Sequence, residues 1–521
     1  MPPTFSYPGV YIEELPSGVH TITGVATSIA AFVGWAPEGP TAQATLVQSW
    51  SDFANQFGGL DSRSNLGYAV NQFFGNGGQQ AYIVRLVGAG AAPGTINIPA
   101  SGGGNAFTAT AIDDGLWSSS YGVRILVNPS DATRFSLLVV YTPTSSQETV
   151  VENFTNLSML ANDPQARSVA SVINDPSTGS QLIQLSAVSV TPGTQPAPNP
   201  MSTPGGLPAP YGLAGGADGA VLDPGTAAFH TALNADNSGT GGVRLLDNVP
   251  IFNLLCVPGE TDATTITSLQ GYCHDERAFY IVDSPQTVNL ASLMTSGPGN
   301  ITGVNAVNSA YYFPWINAPD PLQQGRVRPF PPCGFVAGLY AATDATRGVW
   351  KAPAGIDASL TGESGLTTVL TDLQNGTLNV QGINCLRHFP VYGDVIWGAR
   401  TLRGNDQVGS EWKYVPIRRL ALFMESSLYD GTQWVVFEPN DEKLWGQVRL
   451  NVGAFMQGLF LQGAFQGTTP QQAYFVKCDG ENNPQASIDQ GIVNILVGFA
   501  PLYPAEFVVI QIQQMAGQLQ S

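Results

Sequence analysis

The stretch that most restricts how this chain can fold is its last one. In Pro504-Ala505-Glu506-Phe507-Val508-Val509-Ile510-Gln511-Ile512-Gln513-Gln514, Val508, Ile510 and Ile512 share one strand face, while Gln511 and Gln513 share the other. A terminal strand this apolar aggregates through its open edge unless something covers it. The expected cover is another copy of the chain, with Phe507, Val508, Ile510 and Ile512 as the linking residues. Upstream, Phe437-Glu438-Pro439-Asn440-Asp441-Glu442 leads into a helical pattern with Leu444, Val448, Val452, Phe455, Met456 and Leu459 on one stripe. Asn440 suits the N-cap, and Asp441 and Glu442 put negative charge at the positive end of the helix dipole. A second apolar segment, Ala473 to Asp479, follows.

The N-terminus carries a matching arm. Tyr7-Pro8-Gly9-Val10-Tyr11-Ile12-Glu13-Glu14-Leu15-Pro16 is short, extended and bracketed by prolines that fix φ and remove donors. Val10, Tyr11, Ile12 and Glu13 are the expected linking residues. An arm at each end suggests strand addition between subunits, where backbone hydrogen bonds give affinity and alternate side chains give register. Pairing of both ends inside their own monomer is the alternative.

With 521 residues the chain is long enough for more than one domain, each with its own core. Only 11% of residues are charged against 43% hydrophobic, and 59 glycines and 38 prolines imply many turns. Such a chain has little solvating surface, which fits burial against neighbours. The formal net charge of -18 argues against nucleic-acid binding, which needs clustered Lys and Arg. Only Lys351, Lys413, Lys443 and Lys477 occur, well scattered. Cys256, Cys273, Cys333, Cys385 and Cys478 are odd in number and widely spaced, and read as reduced core residues. The start, Met1-Pro2-Pro3-Thr4-Phe5, lacks a secretory pattern, and no apolar run could span a bilayer, so cytoplasmic synthesis without direct membrane insertion is expected.

Up to Val87 strands and helices alternate. Ser51 is the expected cap of a helix bearing Phe53 and Phe57, and Ser64 of one bearing Leu66, Val70 and Phe74; Ala81–Val87 is a strand. Glycine-rich residues 88–105 mark a boundary. A β-rich stretch follows, with strands at 122–127 and 135–141, then a Pro/Gly-rich linker at 191–217. The apolar runs 249–257 and 278–283 read as buried parallel strands of an α/β layer.

Catalytic and cofactor signatures are lacking. No Gly-Lys dipeptide exists for a Walker A loop, and Pro93 stands where a dinucleotide fingerprint starting at Gly88 needs glycine. There is no Gly-x-Ser-x-Gly elbow, and His20, His230, His274 and His388 lack the contexts of a catalytic base. Cys273-His274-Asp275-Glu276 crowds ligand types side by side, where neighbours point apart, and reads as a polar turn. No cofactor or metal is expected. Tyr311-Tyr312-Phe313-Pro314-Trp315-Ile316 reads as core or subunit-contact surface, and Arg400, Arg403, Arg418 and Arg419 as candidates for salt bridges across a contact.

Taken in order, several motifs resemble the contractile tail sheath proteins of phage tails, contractile injection systems and bacteriocins. They are Tyr7–Glu14, Phe32-Val33-Gly34-Trp35-Ala36-Pro37-Glu38-Gly39-Pro40, Gly338–Asp344 with Arg347–Ala354, Gly382-Ile383-Asn384, Val395–Leu402, Phe437–Asp441, Ala500-Pro501 and Pro504–Phe507. The resemblance implies a multidomain α+β and α/β fold. Both chain ends (1–90 and 390–521) would form an inner core domain. Residues 91–215 would be an inserted β-rich domain, and 216–389 an inserted α/β domain, subtilisin-like in fold but non-catalytic. The segment Asp113–Ser118 departs from the family pattern. The implied role is a structural subunit of a helical contractile sheath around a rigid inner tube, triggered at a baseplate and needing no nucleotide to fire. Implied partners are the chain itself, sheath paralogues, the inner tube protein, and baseplate and terminal cap proteins. Asp441, Glu442, Lys443, Gln447 and Arg449 would sit on a tube-facing helix. The alternatives are a hydrolase with an α/β catalytic domain and oligomerisation arms, or a passive polymer.

Overall fold

The computed structural model describes residues 20–144, 147–189, 195–199 and 208–512. The N-terminal arm residues Val10, Tyr11, Ile12 and Glu13 lie outside them, as does most of the 191–217 linker. The chain divides into two compact units, and the fold is mixed α/β.

The larger unit, Thr27–Arg347 with Lys351–Arg418, is built on an eight-stranded sheet. Its strands run in the order Gly393–Ile396, Ile383–Phe389, Ser309–Phe313, Phe279–Asp283, Leu254–Cys256, Ala30–Trp35, Ala81–Leu86 and Thr45–Val47. The six inner strands are parallel, and each end of the sheet carries one antiparallel strand. Ala30–Trp35, Phe279–Asp283 and Ser309–Phe313 are buried at every position, because a parallel sheet is covered on both faces and selects continuous apolar runs. The aromatic run from Tyr311 to Ile316 is therefore core. The segment 30–86, expected beside the C-terminal region, supplies three strands to the sheet whose other five come from 254–396.

Helix caps fall close to their expected places. Ser49, not Ser51, caps Trp50–Phe57, its Oγ accepting from the Asp52 amide at 3.1 Å. Ser64 Oγ accepts from the Leu66 amide at the start of Leu66–Gly75, and that helix buries Phe73 rather than Phe74. Cys273-His274-Asp275 closes the helix Ala263–Asp275 instead of forming a free turn.

The β-rich part carries two antiparallel sheets. Ile183–Ser186, Asn105–Ala111 and Thr95–Pro99 form one; Tyr211–Gly212, Tyr121–Val127, Phe135–Thr144 and Gln147–Leu157 form the other. They share a core that includes Ile98, Phe107, Val123, Ile125, Leu137, Val139 and Ile183. The chain enters and leaves this part through a two-residue ladder, Ala91-Ala92 against Ala217-Asp218.

Of the described residues, the smaller unit takes those up to Ala26, Gly348–Trp350 and those from Arg419. Its core joins Ile22, Val349, Leu420 and Met424 to the helix Glu442–Leu461, which contributes Leu444, Trp445, Val448, Val452, Met456 and Leu459. The hairpin Tyr474–Lys477 with Leu496–Phe499 packs on it.

Within the larger unit the helices Leu66–Gly75 and Cys333–Arg347 meet through glycine. A Cβ on Gly338 would lie 2.6 Å from Phe73 O, and one on Gly334 would lie 2.4 Å from Ala69 O. Gly to Ala inside a helix ordinarily stabilises by roughly 0.5–1 kcal/mol. Here the sign reverses, because the added methyl meets backbone that cannot yield: Gly338→Ala is expected to cost about 1–3 kcal/mol, read as a lowered melting temperature.

Candidate functional site

Three clusters of titratable groups could carry chemistry. The first lies beyond the carboxyl ends of the parallel strands, where α/β enzymes place their sites. Glu260, wholly buried, accepts from the amides of Thr261 and Asp262 at 2.8 and 2.7 Å and lies 3.1 Å from His230 Nε2. Asp283 accepts from the amides of Gly259 and Cys333 at 2.9 and 2.8 Å, and burial pushes its carboxyl up to about 6. These carboxylates hold loops together, and among the described residues no serine or thiol in this cluster is hydrogen-bonded to a histidine base. The five cysteines are free and buried, and burial pushes the Cys385 thiol up to about 12 and those of Cys273 and Cys333 well above the usual range. Such thiols are poor nucleophiles.

The second cluster sits at the sheet edge. His388 Nδ1 lies 2.7 Å from Asp394 Oδ1, and burial together with the Asp394 carboxylate raises the Glu363 carboxyl. Among the described residues, no group of three or more His, Cys, Asp or Glu is placed to hold a metal ion. No helix there is long and apolar enough to cross a membrane.

The third cluster stands at the neck of the β-rich part. Arg85, 2% exposed, donates to the carbonyls of Ala36, Gly39, Pro37 and Asp114 at 2.9, 2.5, 2.9 and 3.0 Å. Asp218 accepts from the Leu116 amide at 2.7 Å and from Arg63 at 3.2 Å, and the Arg63 guanidinium lies over the Trp35 ring. The loop after Ala30–Trp35 is thus tied to the segment 113–118, the stretch whose sequence departs from the expected pattern. Burial pushes the Glu38 carboxyl up to about 7; Arg85 opposes the shift, and Asp218 and Asp113 add to it.

The arginines expected to bridge a contact lie inside the fold. Arg400 is 1% exposed and bonds to Asp406 Oδ1 at 3.0 Å, while Arg418 and Arg419 are buried. Arg403 donates to Thr302 O at 3.1 Å. Lone arginines read from sequence carry no sign of whether their partner is internal.

The linking and helical candidates are placed as follows. Phe507, Val508, Val509, Ile510 and Ile512 are 76–93% exposed, and residues 502–512 form no strand within the chain. On the helix, Asp441 rather than Asn440 is the N-cap, its Oδ1 accepting from the Leu444 amide at 3.0 Å. Asn440 is drawn off by tertiary bonds, accepting from Trp445 Nε1 at 2.8 Å and donating to Ile492 O at 3.0 Å. Glu442 pairs with Arg449 at 2.6 Å; Lys443 is exposed and Gln447 half-buried. These side chains mark the solvent face of a helix whose other face is core. Sequence reasoning missed Asn451, which falls among the apolar positions of that helix and is 2% exposed with neither side-chain polar atom hydrogen-bonded.

The model of the phage tail sheath protein central domain matches residues 249–402, and that of the phage tail sheath C-terminal domain matches 407–515, together just over half of the chain. A prophage major tail sheath protein of Pseudomonas aeruginosa is 26% identical over 282 residues, covering 53% of this chain and 69% of that protein. The tail sheath protein of Vibrio phage KVP40 is 29% identical over 167 residues, 32% of this chain; that alignment spans only 23% of the phage protein. Among solved structures, the sheath of an extracellular contractile injection system (PVC) in its contracted state superposes with a TM-score of 0.58 at 22% identity, covering 98% of each chain. The contracted helical sheath of the anti-feeding prophage gives 0.57 at 24%, covering 98% of this chain and 100% of that one. A sheath tail protein from Listeria innocua gives 0.60 at only 12%, covering 92% and 96%.

The Glu38 cluster makes a pH dependence. A carboxyl whose folded pKa is raised from 4.5 to about 7 contributes stability that is fully present below pH 4.5 and lost as pH rises through 7. Glu38→Gln removes the charged state. The variant is expected to melt a few degrees above the parent at pH 8, with the gap closing as pH falls toward 4.5, in paired thermal melts across that range.

Proposed function

As this chain belongs to the phage tail sheath family, we propose that it is the repeating subunit of a helical sheath that contracts around a rigid inner tube. It is a structural subunit and not an enzyme. The observation that carries the finer reading is the exposed run Phe507–Ile512, whose apolar side chains have nothing to cover them in the single chain. Strand addition to a neighbouring copy supplies both the cover and the backbone partners. The N-terminal arm, Val10 to Glu13, serves the same purpose at the other end.

Contraction in this reading is a change between two packings of the same subunit. The extended lattice is metastable, a baseplate trigger releases it, and the subunits re-pack into a shorter array while the arms keep neighbours joined. The tube is driven forward by the difference in packing free energy. Resemblance to contracted sheaths of injection systems supports this two-state reading. The inner tube protein, baseplate proteins and a terminal cap are the proposed partners, alongside other copies and sheath paralogues. The solvent face of Glu442–Leu461, with Asp441, Glu442, Lys443, Gln447 and Arg449, is the proposed tube-facing surface. For the domains, the two chain ends of the smaller unit, up to Ala26 and from Arg419, serve as the inner core and 91–215 as the β-rich insert, while the sheet of the larger unit, to which 30–86 belongs with 216–389, serves as a subtilisin-like α/β body without catalytic residues. Synthesis and assembly take place in the cytoplasm, before release in a phage tail or phage-like particle.

Negative-stain electron microscopy of the purified protein, alone and co-expressed with its tube partner, tests the reading. Hollow ridged cylinders are expected, and deletion of residues 1–15 or 506–521 should abolish them. Small discrete particles under both conditions, with and without the arms, would sink it.

A further inference from the structure

A strap crosses the edge of the large sheet that carries His388. Its first part, residues 355–360, runs antiparallel to the edge strand Gly393–Ile396. Gly355 N donates to Ile396 O at 2.9 Å, Ile396 N to Ala358 O at 3.0 Å and Leu360 N to Asp394 O at 2.8 Å. Its last part, residues 364–367, is held along the start of the strand Ile316–Asp320. Ser364 N donates to Asn317 O at 2.7 Å, Asn317 N to Gly365 O at 2.8 Å and Thr367 N to Trp315 O at 3.0 Å. Between these pinned parts the chain turns at Gly362 and Gly365, whose φ of +82° and +117° favour glycine. The hold on this middle span is thinner. Thr361 exchanges bonds of 2.9 and 3.1 Å with the Asn76 side chain, and Glu363 accepts from the Gly365 amide.

Glu363 lies in the middle span, and its carboxyl is hydrogen-bonded to that of Asp394, a residue 2% exposed. Two carboxyl groups make such a bond only while one of them keeps its proton; two carboxylates offer acceptors alone, and repel. Burial raises the Glu363 carboxyl and the Asp394 charge adds to the rise. The Gly365 amide and the half-exposed His388 ring, 2.7 Å from Asp394, act the other way. Neighbouring charges are engaged elsewhere. On the strand Ile383–Phe389, Arg387 pairs with Asp372 at 2.7 Å; at the far end of Ile316–Asp320, Asp320 pairs with Arg328 at 2.9 Å; on the strap, Asp357 acts on Lys351. Asn76, just past the helix Leu66–Gly75, brings an amide and no charge.

We propose that the strap is a proton-operated latch, in which a proton shared by Glu363 and Asp394 holds residues 361–365 down. Release of that proton to solvent leaves two adjacent carboxylates, which push the span open about Gly362 and Gly365. The backbone pairs on either side remain, so the strap opens in its middle and is not shed. The protonated latch is the closed one. A carboxyl whose closed-state pKa lies above its ordinary 4.5 holds the span fully below pH 4.5 and lets go as pH rises through the raised value.

Amide hydrogen exchange of the full-length subunit from pH 4.5 to 8, corrected for the intrinsic rate at each pH, reads the latch directly. Protection of residues 361–366 is expected to fall by about tenfold or more, since one pK unit between closed and open states is a factor of ten. The amides of Leu360 and Ile396 should keep theirs. Glu363→Gln carries a neutral amide that still donates to Asp394, so its profile should stay flat. His388→Gln removes the charge that favours ionised Glu363, and should move the fall to higher pH. Asp394→Asn removes the repelling carboxylate and can donate to ionised Glu363, and should move the fall to lower pH.

A flat wild-type profile, an undiminished fall in Glu363→Gln, or shifts of His388→Gln and Asp394→Asn in the same direction would each overturn the proposal. Should Glu363→Gln fail to fold, the opposed shifts of the other two variants decide. The readout is taken on the subunit alone, so it stands or falls separately from assembly into a sheath.

Discussion

The pairing of Ala30, Ala31 and Phe32 with Leu254, Leu255 and Cys256 is the constraint from which the rest of the larger unit follows. These are parallel neighbours in the middle of the sheet, brought together across more than two hundred residues. A parallel ladder of this kind needs a crossover connection, and both faces must be covered by apolar packing. The side chains meet that demand: Ala30 to Val33 and Leu254 to Cys256 are fully buried. Once the two strands are joined, everything between Leu86 and Leu254 must leave the sheet and return. The β-rich part is therefore an insertion with its own core, held at a two-residue neck. Loop-closure entropy grows only slowly with length, so a folded insert of this size costs the sheet little.

That neck places an unusual demand on electrostatics. Arg85 gives its buried charge to four backbone carbonyls and leaves Glu38, Asp113 and Asp218 as neighbours without direct ion pairs to it. A guanidinium fork can bind several carbonyls in a fixed geometry, which a lysine could not reproduce. The arrangement ties loop 36–39 to Asp114 by direction and not by net attraction. The Glu38 and Asp113 carboxyls, both raised by burial, then tune how firmly the tie holds at a given pH.

Local periodicity made much of this legible in the sequence. The strand Ala81–Leu86, the strands beginning at Tyr121 and Phe135, and the stripe along Glu442–Leu461 each carry their own signal in side-chain alternation or helical spacing. Partner choice carries none. Nothing local in Ala30–Trp35 says that its neighbour is Leu254–Cys256, and the expectation that places segment 30–86 beside the C-terminal region comes from the resemblance alone. Caps slipped by one or two residues because Asn440 and Asp441, or Ser49 and Ser51, are similar candidates; tertiary bonds to Trp445 and Ile492 draw Asn440 away from the cap. Arg400, Arg418 and Arg419 looked like contact residues because a charged side chain is usually solvated. Asn451 was invisible for the opposite reason: one amide in an apolar stripe looks like noise until its missing partners are seen.

The exposed tail and the orphan amide have one physical meaning when taken together. A subunit satisfied in isolation, with every apolar strand covered and every buried amide paired, gains little from a lattice. This chain leaves an uncharged apolar segment in solvent and a buried polar group without a partner, and in the proposed lattice contacts that cover the segment lower its free energy. Both deficits are short-range and uncharged, hence insensitive to salt and to the repulsion expected between subunits of net charge -18. Long-range repulsion and short-range capture together favour an array in which neighbours stay linked through a few uncharged contacts while charged surfaces change their spacing. A polymer that shortens without dissociating needs that separation of roles.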